Sequence, residues 1–303
     1  MLLDAKIPFS YLFSRIRNDL FRVLIISVFF HTLKHFFKND LPEIPAALPS
    51  ILGTSISLLL AFELSQSYGR WWEARQIWGA IVNDSRSLVL QLQGFIADEQ
   101  MAYPVVVELF RGMAYRQMGW CYCLGQSLRK QDPLAGLGPF ISQDEGAGLK
   151  VHNNKPLYLL NRHSRDLKEL YRLGAINQLQ QIQLDSTVVR LVDSMGKSER
   201  IKGTVFPTTY RRFIHFFIYL FLSVLSLTLL ESIGFYEVPL MILVASTFFL
   251  IERSAKDMQD PFENKPTDTA VMAIARTIEI NIRQLLGEKE VPAPWEPEQF
   301  YLL

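Results

Sequence analysis

Long runs of apolar residues constrain this chain more than any other feature of its sequence. Four such runs occur, and they cover residues 21–37, 51–64, 213–230 and 238–251. Crossing a hydrocarbon core of ~30 Å takes about 20 apolar residues, so the second and fourth runs are short on their own. Buried core helices could have the same lengths. Because only a few residues separate the third and fourth runs, a helical hairpin through a bilayer is favoured, and the sequence predicts four transmembrane helices.

The composition indicates membrane helices joined to a soluble portion. Of the 303 residues, 49% are hydrophobic and 20% are charged, which suits neither a protein embedded wholly in lipid nor an ordinary soluble domain. The formal net charge of +1 provides no overall field that would attract nucleic acid. No nucleic-acid partner is therefore expected.

Basic residues are distributed unequally between the two ends of the apolar runs. The short connection between the third and fourth runs, residues 231–237, contains no Lys or Arg. The opposite ends carry Arg15, Arg17, Arg22, Arg70, Arg75, Lys202, Arg211, Arg212, Arg253 and Lys256. Lys34 and Lys38 are exceptions that nearby acidic residues partly match. Since basic residues mark the cytoplasmic side of a membrane protein, both termini are predicted to be cytoplasmic.

The stretch between the second and third runs is polar with helical periodicity. Its apolar residues recur at steps of three and four, as in Val106, Leu109, Phe110 and Met113. Gly and Pro are frequent over residues 132–148, which predicts a loop there. The fold class is therefore all-α, with four membrane helices and a helical cytoplasmic body. The predicted segments are 1–69 (first two helices), 70–209 (body), 210–256 (last two helices) and 257–303 (C-terminal helix and tail).

Four short motifs are the most specific part of the sequence. In order they are Leu60-Ala61-Phe62, Arg70-Trp71-Trp72-Glu73, Pro207-Thr208-Thr209-Tyr210 and Asp260-Pro261-Phe262. Their order and spacing resemble the bestrophin family of ion channels along nearly the whole chain, and the proline-bearing tail resembles that of bacterial members. Ala61 departs from the family, which usually has Gly there. The resemblance implies a homo-pentamer around an axial pore, in a bacterial-type inner membrane, with membrane lipid and inorganic ions as its other partners.

The resemblance also implies where the pore lies. Thr54, Leu58 and Phe62 are four residues apart, so they share one helix face, and the matching family positions line a narrow neck. Rings of apolar side chains can dewet a narrow pore and so act as a hydrophobic gate. The alternative is that Leu58 and Phe62 pack against neighbouring helices. Leu179 aligns near the family's second constriction at the cytosolic exit, or else belongs to an ordinary core.

The residues that follow the last motif bear on calcium gating and on the permeant ion. Animal relatives carry chloride and follow the fourth of these motifs, Asp260-Pro261-Phe262, with a run of acidic residues that binds calcium. Here that run contains Lys265 and Pro266, so calcium gating is not expected, and Asp268 is interpreted as the cap of the next helix. Because the acidic run is absent and the body resembles bacterial members, a cation such as sodium is favoured over chloride.

Charged residues near the neck are interpreted as structural. Arg70 and Glu73 are expected to make structural ion pairs. Glu63 adjoins Phe62 but points about a third of a turn away, so pairing with a neighbouring subunit is expected. An acidic residue at membrane depth is otherwise a candidate for function.

Catalytic, cofactor and metal sites are not expected. No GxSxG, Walker or HExxH motif occurs. His31 and His35 are spaced to share a metal, yet polar residues at the membrane interface are the preferred interpretation. Cys121 and Cys123 lie too close together on a predicted helix for an easy disulfide, which favours a reducing compartment. Two non-channel functions remain open, a secondary transporter and a non-conducting membrane scaffold.

Overall fold

The computed structural model describes residues 7–37, 44–204, 206–297 and 300–302. Nine α-helices follow one another within this part of the chain. They are α1 (Phe9–Phe36), α2 (Ala47–Phe95), α3 (Pro104–Leu128), α4 (Gln143–Val151), α5 (Lys155–Arg172), α6 (Gln178–Gly203), α7 (Thr208–Ile233), α8 (Glu237–Met258) and α9 (Val271–Leu285). The all-α class predicted from the sequence is confirmed.

The chain divides into two compact units. The bundle unit consists of Asp4–Trp71 and Val205–Gln259, and the body unit includes Trp72–Thr204 and Asp260–Leu303. Each has its own apolar core. The bundle core contains side chains such as Leu20, Leu60, Ile218, Ala245 and Phe249, whereas the body core is built around large buried side chains such as Trp78, Trp120, Met113 and Phe262. The segment boundaries expected from the sequence stay a prediction.

The second apolar run is part of a much longer helix than the run itself suggests. α2 has 49 residues, which at 1.5 Å per residue gives a length of roughly 74 Å. Pro49 lies in its first turn, where proline is tolerated, and no further proline occurs before Pro104. This length is more than twice a ~30 Å hydrocarbon core, so a membrane could enclose less than half of α2.

Within the described residues, three helices are long and apolar enough to cross a membrane. They are Ala47–Phe95, Thr208–Leu229 and Glu237–Met258. α1 is also long, at 28 residues, but Asp19, Arg22 and Lys34 interrupt its apolar sequence. Three of the four expected spans therefore have the required composition, and a membrane crossing by α1 stays a prediction.

The loop predicted over residues 132–148 is wrong in its last part. α4 begins at Gln143, and Ser142 is its N-cap. The Ser142 hydroxyl accepts a hydrogen bond from the Glu145 backbone N–H at 3.2 Å, while the Glu145 carboxylate accepts one from the Ser142 backbone N–H at 3.0 Å. This reciprocal capping box starts a helix despite the nearby glycines, and the Ser-x-x-Glu spacing is its sequence signal.

Both cysteines of the chain lie in the interior of the body unit. Cys121 and Cys123 are free thiols on α3 with no exposed surface. Burial disfavours the charged thiolate and raises the pKa of each thiol to about 12. Neither side chain is therefore a reactive thiolate near neutral pH.

Candidate pore-lining face of α2 and its supports

The first turns of α2 have one buried face and one open face. Leu60 is 2% exposed, and Glu63 is fully buried within the bundle unit. Leu58 and Phe62, on the other side, are 73% and 53% exposed, and Thr54 is exposed on the same face. The structure thus brings the three predicted neck residues together on a face that the chain's own bundle leaves uncovered.

The hydroxyl groups near this open face share one hydrogen-bond pattern. The Thr54 Oγ1 donates to the backbone carbonyl one turn earlier at 2.9 Å, and Ser55 and Ser57 do the same at 2.8 Å. Each hydroxyl hydrogen is therefore used within the helix. The oxygen lone pairs remain available as acceptors.

Phe62 is held by the tyrosine of the Pro207-Thr208-Thr209-Tyr210 motif. The rings of Phe62 and Tyr210 form an edge-to-face pair with centroids 6.0 Å apart. The Tyr210 hydroxyl donates a hydrogen bond to the Leu59 carbonyl at 3.1 Å, and the Tyr210 ring also packs edge-to-face with Phe206, with ring centroids 5.6 Å apart. The motif at the start of α7 therefore positions an aromatic ring of the predicted neck.

Glu63 has a partner within its own bundle unit. Its Oε1 accepts a hydrogen bond from Gln259 Nε2 at 3.0 Å. The side-chain oxygen of Gln259 accepts one from Arg211 at 2.7 Å, and its backbone carbonyl accepts one from Arg70 at 2.8 Å. Gln259 thus engages one of the two carboxylate oxygens, and the expected pairing of Glu63 with a neighbouring subunit stays a prediction. Gln259 follows α8 in the chain and forms no motif with α2, so its role has no signal in the sequence.

The expected structural ion pair of the Arg70-Trp71-Trp72-Glu73 motif is present at Glu73. Its carboxylate lies 2.5 Å from the Arg200 guanidinium on α6, within the body unit. Both side chains are substantially exposed, at 43% for Glu73 and 62% for Arg200. The pair is accessible to solvent, and its contribution to stability is small.

A lysine forms an ion pair with the carboxylate of the Asp260-Pro261-Phe262 turn. The Lys202 ammonium lies 2.6 Å from Asp260 Oδ2 and donates to the Phe262 carbonyl at 3.1 Å. The other carboxylate oxygen of Asp260 accepts from the Phe262 backbone N–H at 3.1 Å. These contacts fix the turn with groups from the chain itself.

Asp268 does not cap the following helix, and this part of the sequence interpretation is wrong. α9 begins at Val271, with Ala270 as its N-cap residue. Asp268 lies too early and instead closes the preceding turn, since its Oδ2 accepts from the Lys265 backbone N–H at 3.1 Å. Burial disfavours the charged carboxylate, which raises the pKa of Asp268 to about 6, while the positive charge of Arg129 opposes this shift.

Leu179 lies at the start of α6 and belongs to no core. Its side chain is 78% exposed, and Ile182, on a neighbouring turn of the same helix, is 59% exposed. A capping box formed by Asn177 and Gln180 starts the helix at this point. The alternative interpretation of Leu179 as ordinary core is therefore wrong for the single chain, and its role as a constriction stays a prediction.

The two histidines of α1 do not converge on a common site. His31 Nδ1 lies 3.8 Å from Glu237 Oε2, whereas His35 is exposed with its ring next to Phe36. In the described part of the chain, no group of three or more His, Cys, Asp or Glu side chains could hold a metal ion.

These features define a helical membrane protein whose long second helix presents an open face. Residues 7–284 match the family described as "Bacterial/Fungal Bestrophin protein". The chain belongs to this bestrophin family, as the four motifs predicted.

Relatives and solved structures support the assignment over most of the chain. The voltage-dependent anion channel-forming protein mll4386 of Mesorhizobium japonicum is 26% identical over 290 residues, covering 95% of this chain and 90% of the relative. The voltage-dependent anion channel-forming protein YneE of Escherichia coli strain K12 is 27% identical and covers 84% and 81%. The crystal structure of a bacterial bestrophin homologue from Klebsiella pneumoniae has the same fold, with a TM-score of 0.84 and 23% identity over 91% of this chain and 100% of that one.

Proposed function

We propose that this chain is the subunit of a homo-oligomeric ion channel, and that the open face of α2 lines its axial pore. The observation that carries the proposal is the exposure of Leu58 and Phe62 on a helix apolar enough to span a membrane. Copies arranged around an axis, five by the family resemblance, would stack Thr54, Leu58 and Phe62 as rings. The two apolar rings would form a hydrophobic gate.

The proposed permeant ions are small inorganic anions. The names of the relatives support this choice, since they are called voltage-dependent anion channel-forming proteins, and they count against the sodium-like preference expected from the sequence. A cation is the second candidate. It is favoured by the hydroxyls of Thr54, Ser55 and Ser57, whose hydrogens are used by the backbone and whose oxygens are left as acceptors.

We propose a bacterial inner membrane as the location, with both termini in the cytoplasm. The distribution of Lys and Arg along the sequence supports this orientation. The body unit then lies in the cytoplasm, and Leu179 forms a second constriction at the cytosolic exit. Leu179→Ala should widen that exit and raise the unitary conductance if the constriction limits flow.

The test is electrical recording of the purified protein in lipid bilayers under a salt gradient. The sign of the reversal potential separates anions from cations. Leu58→Ala and Phe62→Ala should raise the conductance or open probability while leaving the reversal potential unchanged. Matched controls remove equally exposed apolar side chains outside this face, namely Leu243→Ala on α8 and Phe29→Ala on α1, with 65% and 57% exposure.

Two results would contradict the proposal. If an intact oligomer passes no current as wild type or as Phe62→Ala, a scaffold or a transporter becomes the better account. If the control variants change conductance as much as Leu58→Ala and Phe62→Ala, the open face of α2 has no special relation to the pore.

A further inference from the structure

The bundle unit contains a basic pocket away from the open face of α2. The pocket lies between α1, α7 and α8 and has a volume of about 240 Å³. Five of its lining side chains are cationic: Arg15, Arg211, Arg212, Arg253 and Lys256. Two carboxylates, Asp19 and Glu252, also line it, so cations are in excess.

The carboxylates of this region are already engaged by other groups. Asp257 forms an ion pair with Arg15. Asp19 and Glu252 lie 3.8 Å and 3.2 Å from the two ring nitrogens of His215. The acidic groups therefore leave part of the positive charge of the pocket unbalanced.

Arg212 and Arg253 carry this unbalanced charge. Neither has a carboxylate within ion-pair distance in the described residues, and the Nε–H of Arg253 is buried without an acceptor there. The buried Nε–H of Arg211 likewise has no acceptor among the described residues, although its terminal nitrogen donates to Gln259. Since buried donors are normally satisfied, the Nε–H groups of Arg211 and Arg253 favour an anion with several oxygen atoms. The exposed Arg212 adds a further positive charge beside them.

The pocket lies near one end of the membrane helices. Glu252 and Lys256 come 15 and 19 residues after Glu237, the first residue of α8. At 1.5 Å per residue these positions are roughly 23–29 Å along the helix, close to the hydrocarbon thickness. This end is the one rich in Lys and Arg, which is assigned to the cytoplasmic side.

An apolar groove follows the pocket along α1 and α7. One turn beyond Asp19, the groove has a volume of about 400 Å³ and is lined by Ile25 and Ile26, with Arg22 and Tyr219 beside them. Ile25 is 54% exposed. A polar pocket at interface level and an apolar groove running away from it match the two parts of a phospholipid molecule.

We infer that the pocket and groove together bind an anionic phospholipid of the cytoplasmic leaflet. The Arg212 and Arg253 guanidinium groups hold the phosphate through paired N–H···O bonds, for which arginine is well suited. One acyl chain lies along Ile25 and Ile26. The inference rests on the membrane placement of the bundle unit and is independent of conduction, because the site lies outside the open face of α2.

Lipid binding to the full-length protein tests the inference. Delipidated oligomer in detergent is titrated with phosphatidylglycerol and with phosphatidylcholine of the same acyl chains, and bound lipid is counted by native mass spectrometry. Wild type should prefer phosphatidylglycerol. The Arg212→Gln/Arg253→Gln variant should bind it roughly tenfold or more weakly, because each Lys or Arg contributes appreciably to attracting an anionic headgroup. Arg17→Gln, an exposed arginine of α1 outside the pocket, should bind it as wild type does.

Two further measurements distinguish a lipid from a free phosphate ion. Ile25→Trp fills the groove and should weaken phosphatidylglycerol binding, and inorganic phosphate at millimolar concentration should not displace the lipid. Size-exclusion elution as wild type shows that each variant is folded, and Arg212→Gln alone replaces the double variant if that one does not assemble. Equal binding of the two lipids, an equal loss in Arg17→Gln, or displacement by inorganic phosphate with no effect of Ile25→Trp would each overturn the inference.

Discussion

Replacing Asp268 by asparagine should change how the stability of the protein depends on pH. Asp268 has no exposed surface and closes the turn before α9 through the Lys265 backbone N–H. Its other oxygen, Oδ1, accepts no hydrogen bond within the described residues. Asparagine keeps an acceptor for the Lys265 N–H but never carries a charge, so it resembles the protonated form of Asp268.

The sign and size of the effect follow from the pKa of Asp268, which burial raises from 3.8 to about 6. The folded state binds the proton more tightly than the unfolded state, so this group favours folding below pH 4. As the pH rises from about 4 to about 6, Asp268 ionises and the free energy of unfolding falls. Above pH 6 this loss of stability is complete. Because one pKa unit corresponds to about 1.4 kcal/mol, the penalty is on the order of 3 kcal/mol at neutral pH.

The assay is thermal unfolding of the full-length protein in detergent from pH 4.5 to pH 8. Asp268→Asn should unfold several degrees above wild type at pH 7–8, and the difference should shrink towards pH 4.5. Asp98→Asn, which replaces an exposed carboxylate of the same unit, should follow wild type throughout, since such surface changes are worth less than about 0.5 kcal/mol. A difference between Asp268→Asn and wild type that is constant with pH, or largest in acid, would refute the reasoning.

Three further changes have effects of different sizes on the unfolding midpoint. Gln259→Ala should destabilise the protein by roughly 1.5–3 kcal/mol, because the buried Glu63 side chain loses its hydrogen bond; an unchanged midpoint would contradict this. Glu73→Gln should cost less than about 1 kcal/mol, since its pair with Arg200 is exposed, and a larger loss would mean that the pair is desolvated in the oligomer. Ser142→Ala should cost about 1 kcal/mol through the lost helix cap, and Ser142→Asp should retain most of that stability.

The sequence predicted the helical class, the family and the open face of α2 from patterns that are local in the chain. Leu58 and Phe62 could be placed on one face because four-residue spacing decides which side chains share a helix surface. This face is left uncovered because the opposite face of the helix, which includes Leu60, packs into the bundle core. The length of α2 was underestimated because hydropathy falls after residue 64 while the helix continues through polar residues.

The contacts that the sequence did not predict join residues far apart in the chain. Gln259 reaches Glu63 across 196 positions, and Lys202 reaches Asp260 across 58. No local spacing encodes such pairs, since they depend on how helices pack. The interpretation of Asp268 failed for a related reason. A carboxylate shortly before a helix resembles a cap, but its distance from the helix start decides the role, and α9 begins three residues later.

The buried position of the two native thiols has a practical consequence for spectroscopy. Cys121 and Cys123 have no exposed surface and a pKa of about 12, so maleimide or methanethiosulfonate reagents should leave both unlabelled in the folded protein. A single cysteine introduced at the exposed Leu179 would then be the only site modified, without prior removal of native residues. Distances between spin labels or fluorophores on the copies of the assembly could therefore be measured in an otherwise wild-type background, and they would count its subunits.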